Sequence, residues 1–199
     1  MPVAFESVVG PEYEPVSLAE AKGQCRLDDV SDYDGDLNFL IQVAREKVES
    51  DSERAFVTQS RRMWIDQFPV GCQSTYAGIL QAVVIPVKPI TGITSIQYID
   101  LGGEWQTMDP SDYLADLVTY PARITPAYAM IWPLTRVQIN AVKIDFVCGH
   151  LKATQIPAAA KHAMRLLVGH WFVNREAVGN VPDEIALGYE SLINMLRWH

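Results

Sequence analysis

Apolar residues recur at two different periods along this chain, and the changes of period divide it into three segments. In the first, Leu18, Ala21, Cys25 and Leu27 follow Ser17 as a narrow stripe at helical spacing. Ser17 with Glu20 three residues on forms a capping box, in which each side chain satisfies the other's free backbone N–H, so a helix is predicted to start here. Asp28 to Asp36 interrupt the pattern as an acidic loop. A longer helix is then predicted to about Glu53, with Leu37, Leu40, Ile41, Ala44 and Val48 on one face and Arg45, Lys47 and Glu49 off it. Residues 1–14 carry Pro2, Gly10 and Pro11 with no period, and read as an extended arm.

From Thr58 the period shortens to two. Arg61, Met63 and Ile65 alternate with Arg62, Trp64 and Asp66, and Val83-Ile85-Val87 form a second alternating run. Ile93 to Asp100 and Trp105 to Met108 flank Gly102-Gly103, a hairpin signal. Asp112 to Leu117 and Arg123-Ile124 read as short strands. Val142-Ile144-Phe146-Cys148 is the clearest strand, with Lys143 and Asp145 facing the other way. Six prolines between Pro86 and Pro133 keep these strands short and partly at edges.

Helical spacing returns after Pro157, where Ala160, Ala163, Met164, Leu167, Trp171 and Phe172 should bury against the N-terminal helices. A last helix carries Leu192, Ile193 and Leu196. Its start is open: Pro182 with Asp183 and Glu184 makes a good first turn, but Gly188 would then cost about 1 kcal/mol inside the helix, and Gly188 could itself be the cap. The order of helices, strands and helices makes the fold class α+β, with about four helices. The segments are 1–57 (arm and first helices), 58–150 (β-rich) and 151–199 (C-terminal helices).

Composition is that of an ordinary globular protein, 49% hydrophobic and 20% charged, and 199 residues suffice for a sizeable core. Early Glu6, Glu12 and Glu14 argue against a signal peptide, and no apolar run approaches the roughly 20 residues that span a bilayer, so no membrane partner is expected. Cys25, Cys72 and Cys148 are odd in number and scattered, which speaks against a disulfide framework and for a cytoplasmic setting. The net charge of −8 lies entirely in residues 1–57, and the remainder balances to zero. Such acidity disfavours DNA binding by sequence. It suits a solvated face, a basic partner, or a passage through which DNA slides.

No arrangement of reactive groups stands out. In the run Asp28 to Asp36, aligning Gly35 with the glycine of an EF-hand puts Val30 and Ile41 at ligand positions, so the calcium reading fails. An acidic helix start accounts for the run better. His150, His162, His170 and His199 lack zinc spacing, and no nucleophile elbow or phosphate loop is present. Asp109, Asp112 and Asp116 have no spacing that argues for a paired cleft. No catalytic residue, metal or cofactor is expected. Tyr189, Leu192, Ile193, Leu196 and Trp198 on the last helix have two readings: packing on the chain's own core, or docking onto another protein. Trp198 at the end of the sequence favours docking.

Two phrases carry a family resemblance: Pro15-Val16-Ser17-Leu18-Ala19-Glu20-Ala21-Lys22 and His170-Trp171-Phe172-Val173-Asn174-Arg175-Glu176-Ala177. Between them lie Ala44-Arg45-Glu46 with Val48-Glu49, and Thr58-Gln59 leading to Trp64, Asp66 and Phe68-Pro69. Pro86 and Pro89 before Ile93, Ser95, Tyr98 and Asp100, then Tyr113, Ala122-Arg123-Ile124 and Gly188-Tyr189-Glu190-Ser191-Leu192, complete the series. In this order and spacing the chain resembles the head–tail connector (adaptor) proteins of long-tailed phages and gene transfer agents. Two departures are local. Asp51-Ser52-Glu53-Arg54 stands where the family often closes its second helix with glycine, and the loop from Val70 to Gln81 is long.

The resemblance implies a helical body with a β-rich insertion between the second and third helices. It implies no enzyme activity and a homo-oligomeric ring, typically of twelve subunits, in the virion neck. That ring would sit under the portal protein, join the filled head to stopper or tail proteins and let DNA pass through, after assembly in the host bacterial cytoplasm. The C-terminal helix is expected to dock on the portal, so that deleting 189–199 would abolish that binding and leave a folded monomer. Other roles are a different ring component, such as a stopper or tail terminator, or a small phage-encoded enzyme. An enzyme would need a deep pocket with converging polar groups.

Overall fold

The computed structural model describes residues 3–69, 75–76, 79–174 and 183–198, with backbone alone at 75, 76, 79, 80, 183–187 and 198. Most of the loop expected over 70–81 therefore lies outside the described residues, as do Cys72 and residues 175–182. The chain forms two compact units, one made of Met1–Gly10 and Thr58–Gly149, the other of Pro11–Val57 and His150–His199. Among the described residues, four α-helices and a strand-rich region between the second and third make the fold α+β.

In the helical unit, α1 (Leu18–Cys25) starts at the capping box, with the Glu20 N–H donating to Ser17 Oγ and the Ser17 N–H donating to Glu20 Oε2. Helix α2 (Asp34–Ser52) begins three residues earlier than the apolar stripe, because Asp34 and Asp36 favour the positive end of its dipole. It stops at Glu53, whose φ of 56° makes the left-handed turn that glycine usually makes at a helix end, while the Arg54 N–H donates to the Glu49 carbonyl. Helix α3 (Ala158–Val173) contacts α1, α2 and α4 (Asp183–Trp198). The unit's core includes Leu37, Ile41 and Val48 of α2, Ala160, Met164 and Val168 of α3, and Phe56. Helix α4 starts at Asp183 and runs through Gly188, so the glycine is not its cap.

The second unit is built on an antiparallel sheet of five strands, ordered β1-β2-β10-β6-β7. These are β1 (Ala4–Val9), β2 (Gln59–Ile65), β6 (Ile90–Ile99), β7 (Trp105–Thr107) and β10 (Val142–Cys148). Strand β10 alternates buried and half-buried without a break, as its sequence predicts, and pairs β2 on one side and β6 on the other. The hairpin joins β6 to β7, with Gly103 at φ +95° in its turn. Strands β5 (Val83–Ile85), β8 (Tyr113–Asp116) and β9 (Ala122–Pro126) form a three-stranded sheet, and β3 (Thr75–Tyr76) pairs β4 (Ile79–Leu80). Residues 4–9, read as part of an arm, are an edge strand registered on β2 from Ala4 opposite Trp64 to Val9 opposite Ser60.

Candidate functional site

The last helix is fixed to the helical unit by apolar packing and by polar stitches. Tyr189, Leu192, Ile193 and Leu196 recur at three- and four-residue steps, which places them on one side of a helix. Ile193 and Leu196 are buried in the unit's core, and Tyr189 and Leu192 pack partly buried against it. Trp198, the fifth residue of the expected interface, has no described side chain. Arg54 Nε donates to the Leu196 carbonyl at 2.8 Å, closing one of the last-turn carbonyls that a helix leaves unpaired. Arg197 Nε donates to the Asp51 carbonyl at 2.8 Å. A deletion of 189–199 would thus remove core side chains together with any docking surface.

Beside this contact, Asp51 gathers the charges. Lys47 Nζ donates to both its oxygens at 2.7 Å, and the Tyr189 hydroxyl donates to Oδ2 at 2.7 Å. Burial works to raise the Asp51 carboxyl, but the hydrogen bonds from Lys47 and Tyr189 and the nearby charges of Lys47 and Arg197 outweigh it and hold it below its ordinary value. Tyr189 is pushed well up, by burial first and then by its bond to the Asp51 carboxylate. Lys47, Asp51, Tyr189 and Arg197 line an open groove of about 370 Å³. At neutral pH the carboxyl stays ionised and the phenol stays protonated, so neither is poised to exchange a proton. The groove is an ion-paired latch between α2 and α4.

Ion pairs also use much of the N-terminal acidity. Arg45, nearly buried, meets Glu14 at 2.9 Å, Glu49 at 3.2 Å and Glu46 at 3.5 Å. Glu49 Oε1 in turn accepts from the Phe56 N–H at 2.8 Å. Lys22 pairs with Asp34 at 2.6 Å. Asp28, Asp29, Asp32 and Asp36, by contrast, are exposed around the turn that precedes α2. Neither the Arg45 cluster nor the latch was legible as such, although Lys47 and Asp51 stand at the four-residue step that pairs charges on a helix.

In the sheet unit, register builds a polar ladder across four strands. Glu6 of β1 lies opposite Arg62 of β2, which lies opposite Asp145 of β10, which lies opposite Ser95 of β6. Arg62 donates to both Asp145 oxygens, at 2.6 and 3.2 Å, and the Ser95 hydroxyl donates to Asp145 at 3.1 Å. Next to it, Lys143 Nζ stands 4.3 Å from the Trp105 ring centre and 5.9 Å from that of Trp64. Two of the three carboxylates considered for a cleft, Asp109 and Asp116, instead hold turns. Asp109 accepts from the Ser111 N–H and hydroxyl. Asp116 accepts from the Thr119 and Val118 N–H groups and from Arg123, which pulls it down to about 2. Among the described residues, no group of three or more His, Cys, Asp or Glu is placed to hold a metal ion. None of their helices is long and apolar enough to cross a membrane.

No protein-family model matches the chain, and no curated protein matches it in sequence. Its fold does have close counterparts among solved structures. A chain from the neck of an empty gene transfer agent particle, computed with C6 symmetry, superposes with a TM-score of 0.75 at 19% identity, over 98% of this chain and 95% of that one. A chain from the virion of a native gene transfer agent particle gives 0.76 at 18% identity, over 97% and 94%. A third, from the neck of a native particle computed with C12 symmetry, gives 0.70 at 18% identity, over 98% and 94%.

Proposed function

We propose that this protein is a non-enzymatic head–tail connector (adaptor) of the virion neck, forming a ring of twelve copies beneath the portal. The observation that carries the reading is the full-length likeness of fold to chains from gene transfer agent necks and virions, over at least 97% of this chain. An independent support is the site chemistry. In the latch and the ladder, cations and carboxylates pair with one another and with the Tyr189 and Ser95 hydroxyls, an arrangement that organises structure. The ring joins the filled head to stopper or tail proteins, and it assembles in the host bacterial cytoplasm.

The exposed carboxylates of the 28–36 turn suit a surface past which DNA slides, because like charge keeps phosphates from adhering. Portal docking falls to α4, the helix of Tyr189, Leu192, Ile193, Leu196 and Trp198. Ile193 and Leu196 hold the helix from inside, and Met195, exposed on its other side, offers an apolar contact to the portal. The test is binding of the full chain to purified portal rings, followed by native mass spectrometry. The Met195→Asp variant should keep the wild-type thermal midpoint and bind at least tenfold more weakly. Unchanged binding would remove α4 from the portal interface.

A further inference from the structure

The sheet unit exposes two separate apolar segments, and each is unusual for a chain that functions alone. The first is the irregular stretch between β9 and β10. Five large apolar side chains within twelve residues, Tyr128, Ile131, Leu134, Val137 and Ile139, are each 72–97% exposed. The stretch is nevertheless well anchored. Trp132 is buried between these residues, stacks on Phe68 with ring centres 4.5 Å apart, and donates its indole N–H to the Gln81 carbonyl at 2.7 Å. The Arg136 N–H donates to the Ile99 carbonyl at 3.0 Å, and the Asn140 N–H to Asp66 Oδ1 at 3.0 Å. A strap fixed at three points holds its apolar side chains in water. Large apolar side chains held in water this close together along a fixed backbone point to a surface that a partner covers.

The second segment is β1. Among the described residues it pairs with β2 alone and forms one edge of the five-stranded sheet. All six residues are exposed, and Phe5, Val8 and Val9, with Val3 just before the strand, are each 43–55% exposed. An open edge offers unpaired backbone N–H and C=O groups beside those side chains.

A ring of more than two like copies closes only through a head-to-tail contact, in which two different patches of the same chain meet. The strap and the β1 edge are two such patches. We infer that the strap of residues 128–139 docks on the β1 edge of a second copy of this chain, and that this contact closes the ring. The inference rests on the ring reading above, and the C6 and C12 symmetry of the neck assemblies that hold its structural counterparts argues for a second copy as the occupant. Strand addition along an open edge is an established way for an extended segment to bind.

The test uses the full chain, with oligomeric state read by sedimentation velocity and native mass spectrometry. The strap variant Ile131→Asp/Val137→Asp and the edge variant Val8→Asp/Val9→Asp should each be monomers where the wild type forms rings. Both should keep the wild-type circular dichroism, since the substituted side chains are exposed in the single chain. Should either fail to fold, the threonine versions of the same pairs take its place. An equimolar mixture of strap and edge variants should form a dimer and nothing larger, because only one sound strap can meet one sound edge. Rings from either variant, no dimer in the mixture, or a wild type that stays monomeric would overturn the inference. Labelling of the protein in whole particles separates this failure from that of the neck role: neck label with monomers in solution would sink the strap contact alone.

Discussion

Leu196→Ala beside Met195→Ala asks whether the last helix belongs to the body or stands free for a partner. Leu196 is 3% exposed within the helical core, whereas its neighbour Met195 is 52% exposed. Removing a buried leucine side chain costs the transfer energy of its atoms plus the cavity left behind, about 2–5 kcal/mol. Near a helix terminus the surroundings can partly collapse, so about 2–3 kcal/mol is expected for Leu196→Ala. Met195→Ala should change stability by no more than about 0.5 kcal/mol, because its side chain already meets water. Urea unfolding of the full chain, followed at 222 nm where the helices dominate, reads both. The midpoint for Leu196→Ala should fall at unchanged slope, and that for Met195→Ala should hold. A loss below about 1 kcal/mol for Leu196→Ala, or equal losses for the two, would refute the packing and make α4 a free docking helix.

Three further outcomes follow from the helical unit. Gly188 lies exposed inside α4 with open space where a Cβ would stand, so Gly188→Ala should raise stability by about 0.5–1 kcal/mol in the same unfolding assay. Arg45→Ala removes the cation that pairs with buried Glu49 at 3.2 Å and leaves the space of its side chain empty, so it should lower stability by about 3–5 kcal/mol, whereas Arg45→Met, which still fills the space, should lose less. Tyr189 ionises at higher pH in the folded chain than its ordinary 10.0, so its contribution is intact below pH 10 and drains away as pH rises further. Thermal midpoints between pH 9 and 11 should therefore fall less steeply in Tyr189→Phe than in the wild type.

Much of this fold is legible in the sequence, and the rest is hidden for identifiable reasons. The Ser17–Glu20 box is a purely local device, so the start of α1 can be read from four residues. Strand β10 is buried on one face, and its alternation survives in Val142, Ile144, Phe146 and Cys148. Strand β1 is exposed along its whole length, so no burial imprints a period on Ala4–Val9, and only pairing with β2 makes it a strand. The end of α2 near Glu53 follows from its apolar stripe, whereas the way it ends does not, because Glu53 adopts a left-handed conformation that a sequence signals with glycine or asparagine. For α4, the spacing of Tyr189, Leu192, Ile193 and Leu196 reveals an apolar side. It cannot say which surface covers that side, since a core and a partner demand the same pattern. The latch at Asp51 depends on Tyr189, 138 residues away, and such a contact leaves no local trace.

Electron microscopy of particles from a strain lacking this gene tests the proposed connector role in the neck. Filled or leaking heads without tails, beside separate free tails, are expected. Complete tailed particles would contradict that role.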